Sequence, residues 1–187
     1  MHVSRETLKE FAKQLLKWNK AINLISVKDE SSIWERHIED SLQLSEYIPQ
    51  NSTIIDVGSG GGFPGLVLGI LGYNVHLIEI DQRKAVFLRE MIRVFNLDSQ
   101  VYNCDVRHYE GPQSDILTAR GYDKLTNLIP LLRLVKPGGF GLFLKGQNYL
   151  EELKNCNSES VQIFSSKCSN GVIIKVIKQN GKDNHNS

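Results

Sequence analysis

The residues best able to do chemistry in this 187-residue chain lie in one stretch, Ile54-Ile55-Asp56-Val57-Gly58-Ser59-Gly60-Gly61-Gly62-Phe63-Pro64-Gly65. A short apolar run ends in an acid, glycines follow at every second position, and a proline opens what comes next. Those residues predict a strand, a sharp turn and a helix. Glycines accept positive φ and place no Cβ between backbone and ligand, so a flat or charged group can approach closely. Open α/β sheets bind nucleotide-like cofactors in such a crevice. A second acid, Glu79, ends the apolar run Val75-His76-Leu77-Ile78, 21 residues after Gly58. An acid at that strand end accepts hydrogen bonds from ribose hydroxyls in nucleotide-binding sheets. Asp81, two residues on, reads instead as the cap of a helix over Gln82–Phe95.

The glycine spacing bears on which nucleotide is bound. Gly60, Gly62 and Gly65 match the dinucleotide pattern literally. Started from Gly58, however, the third slot holds Phe63, too large for close helix–strand packing. Asp56-x-Gly58-x-Gly60-x-Gly62 describes the loop better, and it resembles motif I of S-adenosylmethionine (AdoMet)-dependent methyltransferases. That cofactor has no pyrophosphate; it carries a zwitterionic methionine end and a sulfonium, to which Asp56 is expected to be matched.

The surrounding elements follow from pattern. Leu8, Phe11, Ala12, Leu15, Leu16 and Ile22 form a helical stripe over residues 4–22, with Ser4 placed to cap it. Lys9, Lys13 and Lys17 recur on another face, either a solvated surface balanced by Glu6 and Glu10 or a stripe for RNA phosphates. Ser32 and Glu35 predict a capping box opening a second helix that stops before Pro49. Asn23, Arg36, His37 and Asp40 sit beside apolar positions and are expected to bond to one another or cap turns. No partner cluster at usable spacing supports His37 as a metal ligand or general base.

Past the glycine loop, strands are expected at 75–79, 101–107, 114–121, 140–147, 160–164 and 171–177. A helix over 124–135 should end at Lys136-Pro137-Gly138-Gly139. Arg120 and Lys145 then arrive at strand ends facing the cofactor crevice. The alternative for Arg120 is an ion pair with Asp56 or a neighbouring acid. The predicted class is α/β: a mostly parallel, Rossmann-like sheet covered on both faces, over residues 51–179. A helical extension over 1–50 precedes it, and a polar tail over 180–187 is expected to be disordered.

Composition narrows the function classes. The chain is 41% apolar and 23% charged, with net charge +1, so a nucleic-acid partner must be held by a local patch. No apolar run approaches the roughly 20 residues that span a bilayer, and no signal-peptide pattern opens the chain. Cys104, Cys156 and Cys168 are odd in number and not spaced for metal. A cytoplasmic, metal-free monomer with no membrane partner is expected.

Together, Trp18-Asn19-Lys20, Asn23-Leu24, Arg36-His37-Ile38-x-Asp40-Ser41, the Asp56–Gly65 loop, Arg120 and Leu144-Lys145-Gly146-Gln147 resemble the small-subunit rRNA guanine-N7 methyltransferases. The resemblance runs from about Leu8 to the end of the sheet. It implies methyl transfer from AdoMet to N7 of guanine 527 in 16S rRNA, presented as free RNA or as the 30S subunit. By position it implies AdoMet contacts at Gly58, Phe63, Val106, Arg107 and Arg120, beside the Asp56, Gly60 and Glu79 read above. Arg107 stands where that family has an acid, and Asp105 where it commonly has a base. Guanine N7 carries no proton at neutral pH, so no acid–base pair is required. Arg120 and Lys145 are left to orient the cofactor or the base. An NAD-linked oxidoreductase, an rRNA-binding pseudo-enzyme and a methyltransferase for another acceptor are the competing readings.

Overall fold

The computed structural model describes residues 5–154, 156 and 161–178. The expected Ser4 cap and the polar tail lie outside the described residues. Seven strands form one sheet in the order β3-β2-β1-β4-β5-β7-β6. They are β1 (Thr53–Val57), β2 (Asn74–Ile78), β3 (Ser99–Tyr102), β4 (Ser114–Arg120), β5 (Val135–Lys145), β6 (Val161–Ser165) and β7 (Val172–Ile177). The first five pair in parallel, and β7 and β6 close the edge antiparallel. The chain order therefore reverses between β1 and β4, the switch point at which such sheets open a crevice.

The helices are α1 (Arg5–Asn19), α2 (Val27–Glu30), α3 (Asp40–Leu42), α4 (Gly65–Ile70), α5 (Gln82–Phe95), α6 (Leu125–Leu128) and α7 (Tyr149–Lys154). Helix α1 buries Leu8, Phe11, Ala12 and Leu15, the stripe its spacing predicts. Its lysine face is solvated: Lys9 and Lys13 pair with Glu6 and Glu10 at 2.8 and 3.7 Å. These α1 residues share one apolar cluster with Ile54 of β1, Leu66 and Leu68 of α4 and Phe87 and Leu88 of α5. The N-terminal segment thus completes one face of the sheet, with Phe11 and Leu15 fully buried. A second cluster, including Leu117, Leu128, Phe143 and Ile174, covers the other face. Each side chain of this size stabilises by about 2 kcal/mol on burial.

Three local expectations are corrected. No capping box forms at Ser32 and Glu35; the chain enters a π-helical turn, Trp34–Glu39, with no side-chain cap, then runs through α3 into a 3₁₀ turn, Gln43–Tyr47. Trp34 Nε1 donates to Glu39 at 2.9 Å within this turn. The helix expected over 124–135 is only α6 followed by a 3₁₀ turn, Ile129–Leu134, because Pro130 has no N–H for a continuing helix. Lys136-Pro137-Gly138-Gly139 is a bulge near the start of β5 rather than a gap before it. Register passes from Ser114↔Val135 directly to Ile116↔Phe140. Gly139 permits this, since a Cβ there would lie 2.2 Å from Asp115 O. Asp81 caps α5 as expected, accepting from the Arg83 and Lys84 amides.

Candidate active site

The glycine loop leaves β1 at the switch point and enters α4 through a cis Phe63–Pro64 bond. Gly58 N and Ser59 N donate to Ile78 O at 2.9 and 3.2 Å, which pins the turn to the end of β2. Gly58 holds φ +67°, and a Cβ there would meet Tyr122 Cδ2 at 2.2 Å. Only glycine satisfies both demands. Glu79, nearly buried, accepts from Gly60 N through Oε2 and from Asp81 N through Oε1, both at 2.8 Å. Each carboxylate oxygen keeps a lone pair free. A cavity of about 250 Å³ opens here, lined by Gly58, Gly60, Glu79, Asp105, Val106 and Tyr122 among others.

The expected site residues divide on this geometry. Gly58, Gly60, Glu79 and Val106 share the cavity wall. Asp56 lies beneath it, fully buried, with Oδ1 accepting from Thr118 Oγ1 at 2.8 Å. Its carboxylate, expected to match a cofactor ammonium, is not part of the cavity wall in this structure. Burial pushes its pKa up to about 6 against the hydrogen bonds that hold it. Gly65 allows this packing, since a Cβ there would lie 2.6 Å from Asp56 Oδ2. The Phe63 ring also turns away, stacking on His37 at 4.9 Å and meeting Phe11 edge-on at 5.6 Å. Arg107 is exposed and forks onto Asp105, so its side chain leaves the wall while Asp105 remains on it. That pairing holds the Asp105 carboxyl well below the usual carboxylate range.

Arg120 and Lys145 line a second and larger cavity of about 670 Å³, with Arg36, Asp40, Gly146 and Gln147. Gly121 belongs to the walls of both cavities. Arg120 does not pair with Asp56. Its guanidinium reaches the N-terminal segment, where Nη1 donates to His37 Nδ1 and Nη2 to Arg36 O, the latter at 2.6 Å. Because Nδ1 accepts, the His37 proton sits on Nε2, facing Asp29 Oδ2 at 3.6 Å. Burial, with Arg120 alongside, lowers the His37 pKa to about 4. Arg36 pairs with Asp29 at 2.8 Å. Lys145 is nearly buried and committed: Nζ donates to Asp123 O and pairs with Glu152, both at 2.7 Å. Glu152 also accepts from Leu125 N at 2.9 Å, so Lys145 braces α6 against α7.

Asn19 explains part of the N-terminal text. Its Oδ1 accepts from Leu24 N and Ile25 N at 2.8 and 3.0 Å, and Nδ2 donates to Glu30. This staple sets Leu24 against the glycine loop, where a Cβ on Gly61 would lie 3.1 Å from Leu24 O. Tyr122 and Lys84 join the first cavity without having been expected there. Tyr122 alone carried a signal, two positions beyond a strand-end arginine. Among the described residues no group of three or more His, Cys, Asp or Glu could hold a metal ion, and no helix is long and apolar enough to cross a membrane.

A sheet of this order, with an acid-and-glycine loop at its switch point, defines a Rossmann-like AdoMet-dependent methyltransferase. Solved structures share that fold. A putative AdoMet-dependent methyltransferase from Methanococcus maripaludis aligns with TM-score 0.63 at 15% identity, covering 94% of this chain and 95% of that one. The 16S rRNA N2 G1207 methyltransferase of T. thermophilus aligns with TM-score 0.60 at 16% identity, over 85% of this chain and 45% of that one. The family model for rRNA small subunit methyltransferase G matches residues 4–179. Proteins named ribosomal RNA small subunit methyltransferase G are 47% identical in Gluconobacter oxydans, over 93% of this chain and 95% of theirs, and 38% identical in Rickettsia felis, over 94% and 96%. The chain belongs to the rRNA small subunit methyltransferase G family.

Proposed function

We propose that this enzyme methylates N7 of guanine 527 in 16S rRNA, acting as a cytoplasmic monomer. The observation that carries the reading is the pair of cavities meeting at Gly121, one walled by glycines and carboxylates, the other flanked by Arg36, Arg120 and Lys145.

The first cavity fits AdoMet by its donor set. Glu79 keeps lone pairs for ribose hydroxyls, Gly58 and Gly60 allow close backbone approach, and Val106 with Ile78 and Ile80 offers apolar walls to a flat base. Asp105 on the same wall is already taken by Arg107, two donors to each oxygen. Asp56 and Phe63 serve from behind: Asp56 fixes the loop through Thr118, and Phe63 wedges it against His37 and Phe11. Bound AdoMet supplies a methyl group activated by its sulfonium. The chain's own tasks are binding, alignment and exclusion of water. N7 has a lone pair and no proton at neutral pH, so no residue need remove one. This agrees with cavity walls whose cations are already occupied: Arg120 by His37 and Arg36 O, Lys145 by Glu152. Arg120 and Lys145 act as positioning residues that hold the N-terminal segment and the α6–α7 region around the second cavity. N7 lies on the major-groove edge, out of reach in an A-form helix, so the base must be unpaired or turned out of its stack.

The deciding experiment supplies labelled AdoMet with undermethylated 30S subunits or deproteinised 16S rRNA, and maps the label. Label at one guanine N7 supports enzyme and acceptor together, and the preferred substrate identifies the form recognised. AdoMet binding without transfer to either RNA would refute this acceptor.

A further inference from the structure

We propose that Asp40 reads the target base, its carboxylate accepting hydrogen bonds from the Watson–Crick edge of guanine in the larger cavity. This rests on the reading that the second cavity receives the RNA base. Among the residues lining that cavity Asp40 is the one carboxylate, set beside Arg36, Arg120 and Lys145. An acid in a cavity meant for a polyanion opposes the general field and needs a specific purpose.

Part of that purpose is structural. Asp40 is only 7% exposed, and its Oδ1 accepts from Gln43 Nε2 at 2.9 Å and Ser166 Oγ at 3.0 Å. Those bonds tie α3 to the turn between β6 and β7, and they fill the two lone pairs of Oδ1. Oδ2 is different. No described residue donates to it, yet it is not among the buried side-chain atoms sealed away without a partner, as Asp56 Oδ2 is. Oδ2 therefore keeps some access on a nearly buried side chain that lines the cavity, and no described residue hydrogen-bonds to it.

Arg120 balances its charge through space, but no neighbouring cation hydrogen-bonds to it. Arg120 donates to His37 and Arg36 O, Arg36 pairs with Asp29, and Lys145 is taken by Glu152 and Asp123 O. What fits such an oxygen is two adjacent donors. Guanine presents N1–H and its 2-amino group side by side; adenine and cytosine place a ring acceptor there, and uracil offers a single ring N–H. The imidazole side of the purine lies opposite that edge. Holding N1 and the 2-amino group at Asp40 therefore turns N7 away from it, toward Gly121 and the first cavity. One contact would select guanine and aim its reacting nitrogen.

The test compares 16S rRNA carrying guanine or inosine at the target position, with wild-type enzyme and Asp40→Asn. Inosine keeps N7, O6 and N1–H and lacks only the 2-amino group. Wild type should methylate inosine with kcat/KM at least ~10-fold lower than guanine, since a site built around a donor rejects the analogue lacking it. Asp40→Asn keeps an acceptor for Gln43 and Ser166 but can turn an N–H toward the base. It should lose ~30-fold or more on guanine and treat the two bases within ~3-fold, with AdoMet affinity by calorimetry unchanged. Equal wild-type rates on both RNAs would overturn the proposal without reference to any variant. Full inosine discrimination by Asp40→Asn, or loss of its AdoMet binding, would likewise overturn it. Absence of wild-type transfer to guanine would instead refute the acceptor assignment on which the proposal stands.

Discussion

Replacing His37 by Asn should expose a pH dependence that the wild-type protein conceals. His37 is buried, stacked on Phe63, and accepts Arg120 through Nδ1, so a proton on that nitrogen would confront the guanidinium. Burial lowers its folded pKa to about 4 from 6.5. The unfolded chain binds the extra proton between those values. His37 therefore contributes stability that is present above about 6.5 and lost as pH falls toward 4, in total about 3 kcal/mol. Asp56 acts in the opposite sense. Its folded pKa is raised from 3.8 to about 6, so its contribution is present below 3.8 and lost as pH rises through 6. Near pH ~5 each group gives a slope of about 1 kcal/mol per pH unit, of opposite sign, and the two nearly cancel. Asn at position 37 can still accept from Arg120 through its amide oxygen but does not titrate. Relative to wild type, the variant should lose about 1 kcal/mol more stability per unit as pH rises from ~4.5 to ~5.5. Urea melts at constant ionic strength give both curves, and the difference in slope is the quantity read, so a uniform loss of packing does not matter. Parallel curves would refute the argument and indicate a charged His37 paired with Asp29.

Three other outcomes follow from the site. Gly58→Ala should weaken AdoMet binding by ~10-fold or more in calorimetry, because a Cβ at φ +67° meets the Tyr122 ring; unchanged affinity would remove Gly58 from the cofactor wall. Lys145→Met should destabilise by about 3 kcal/mol in urea melts by stripping Glu152 of its buried partner, with AdoMet affinity retained. Arg120→Ala should cost about 3 kcal/mol and loosen the N-terminal segment, since charge-assisted bonds are lost and His37 Nδ1 is left unpaired. Amide exchange over residues 32–42 reports the loosening, and unaltered protection there would refute the bracing role.

Sequence alone determined what depends on near neighbours. The Asp81 cap is legible because its acceptor reaches amides two and three residues on. The glycine loop is legible because positive φ at Gly58, Gly60 and Gly62 is a property of single residues. Alternation of strands and helices gave the parallel sheet, and its switch point gave the crevice. The 3.6-residue stripe of α1 marked its buried face, although not that this face would join the core of the sheet.

Tertiary structure decided who meets whom. Asp56 reads as a ligand in sequence, and the packing of Thr118 and Gly65 around it buries its carboxylate beneath the cavity. Arg120 finds its partners some 83 residues away in a π-helical turn that spacing did not predict. Asp40 lines a cavity whose other wall includes the β6–β7 turn, more than 120 residues later, from which Ser166 takes one of its oxygens. Spacing encodes only contacts within a turn or strand. The partners of a strand-end side chain depend on which loops the sheet order brings to that end, and on which of its atoms burial leaves unsatisfied.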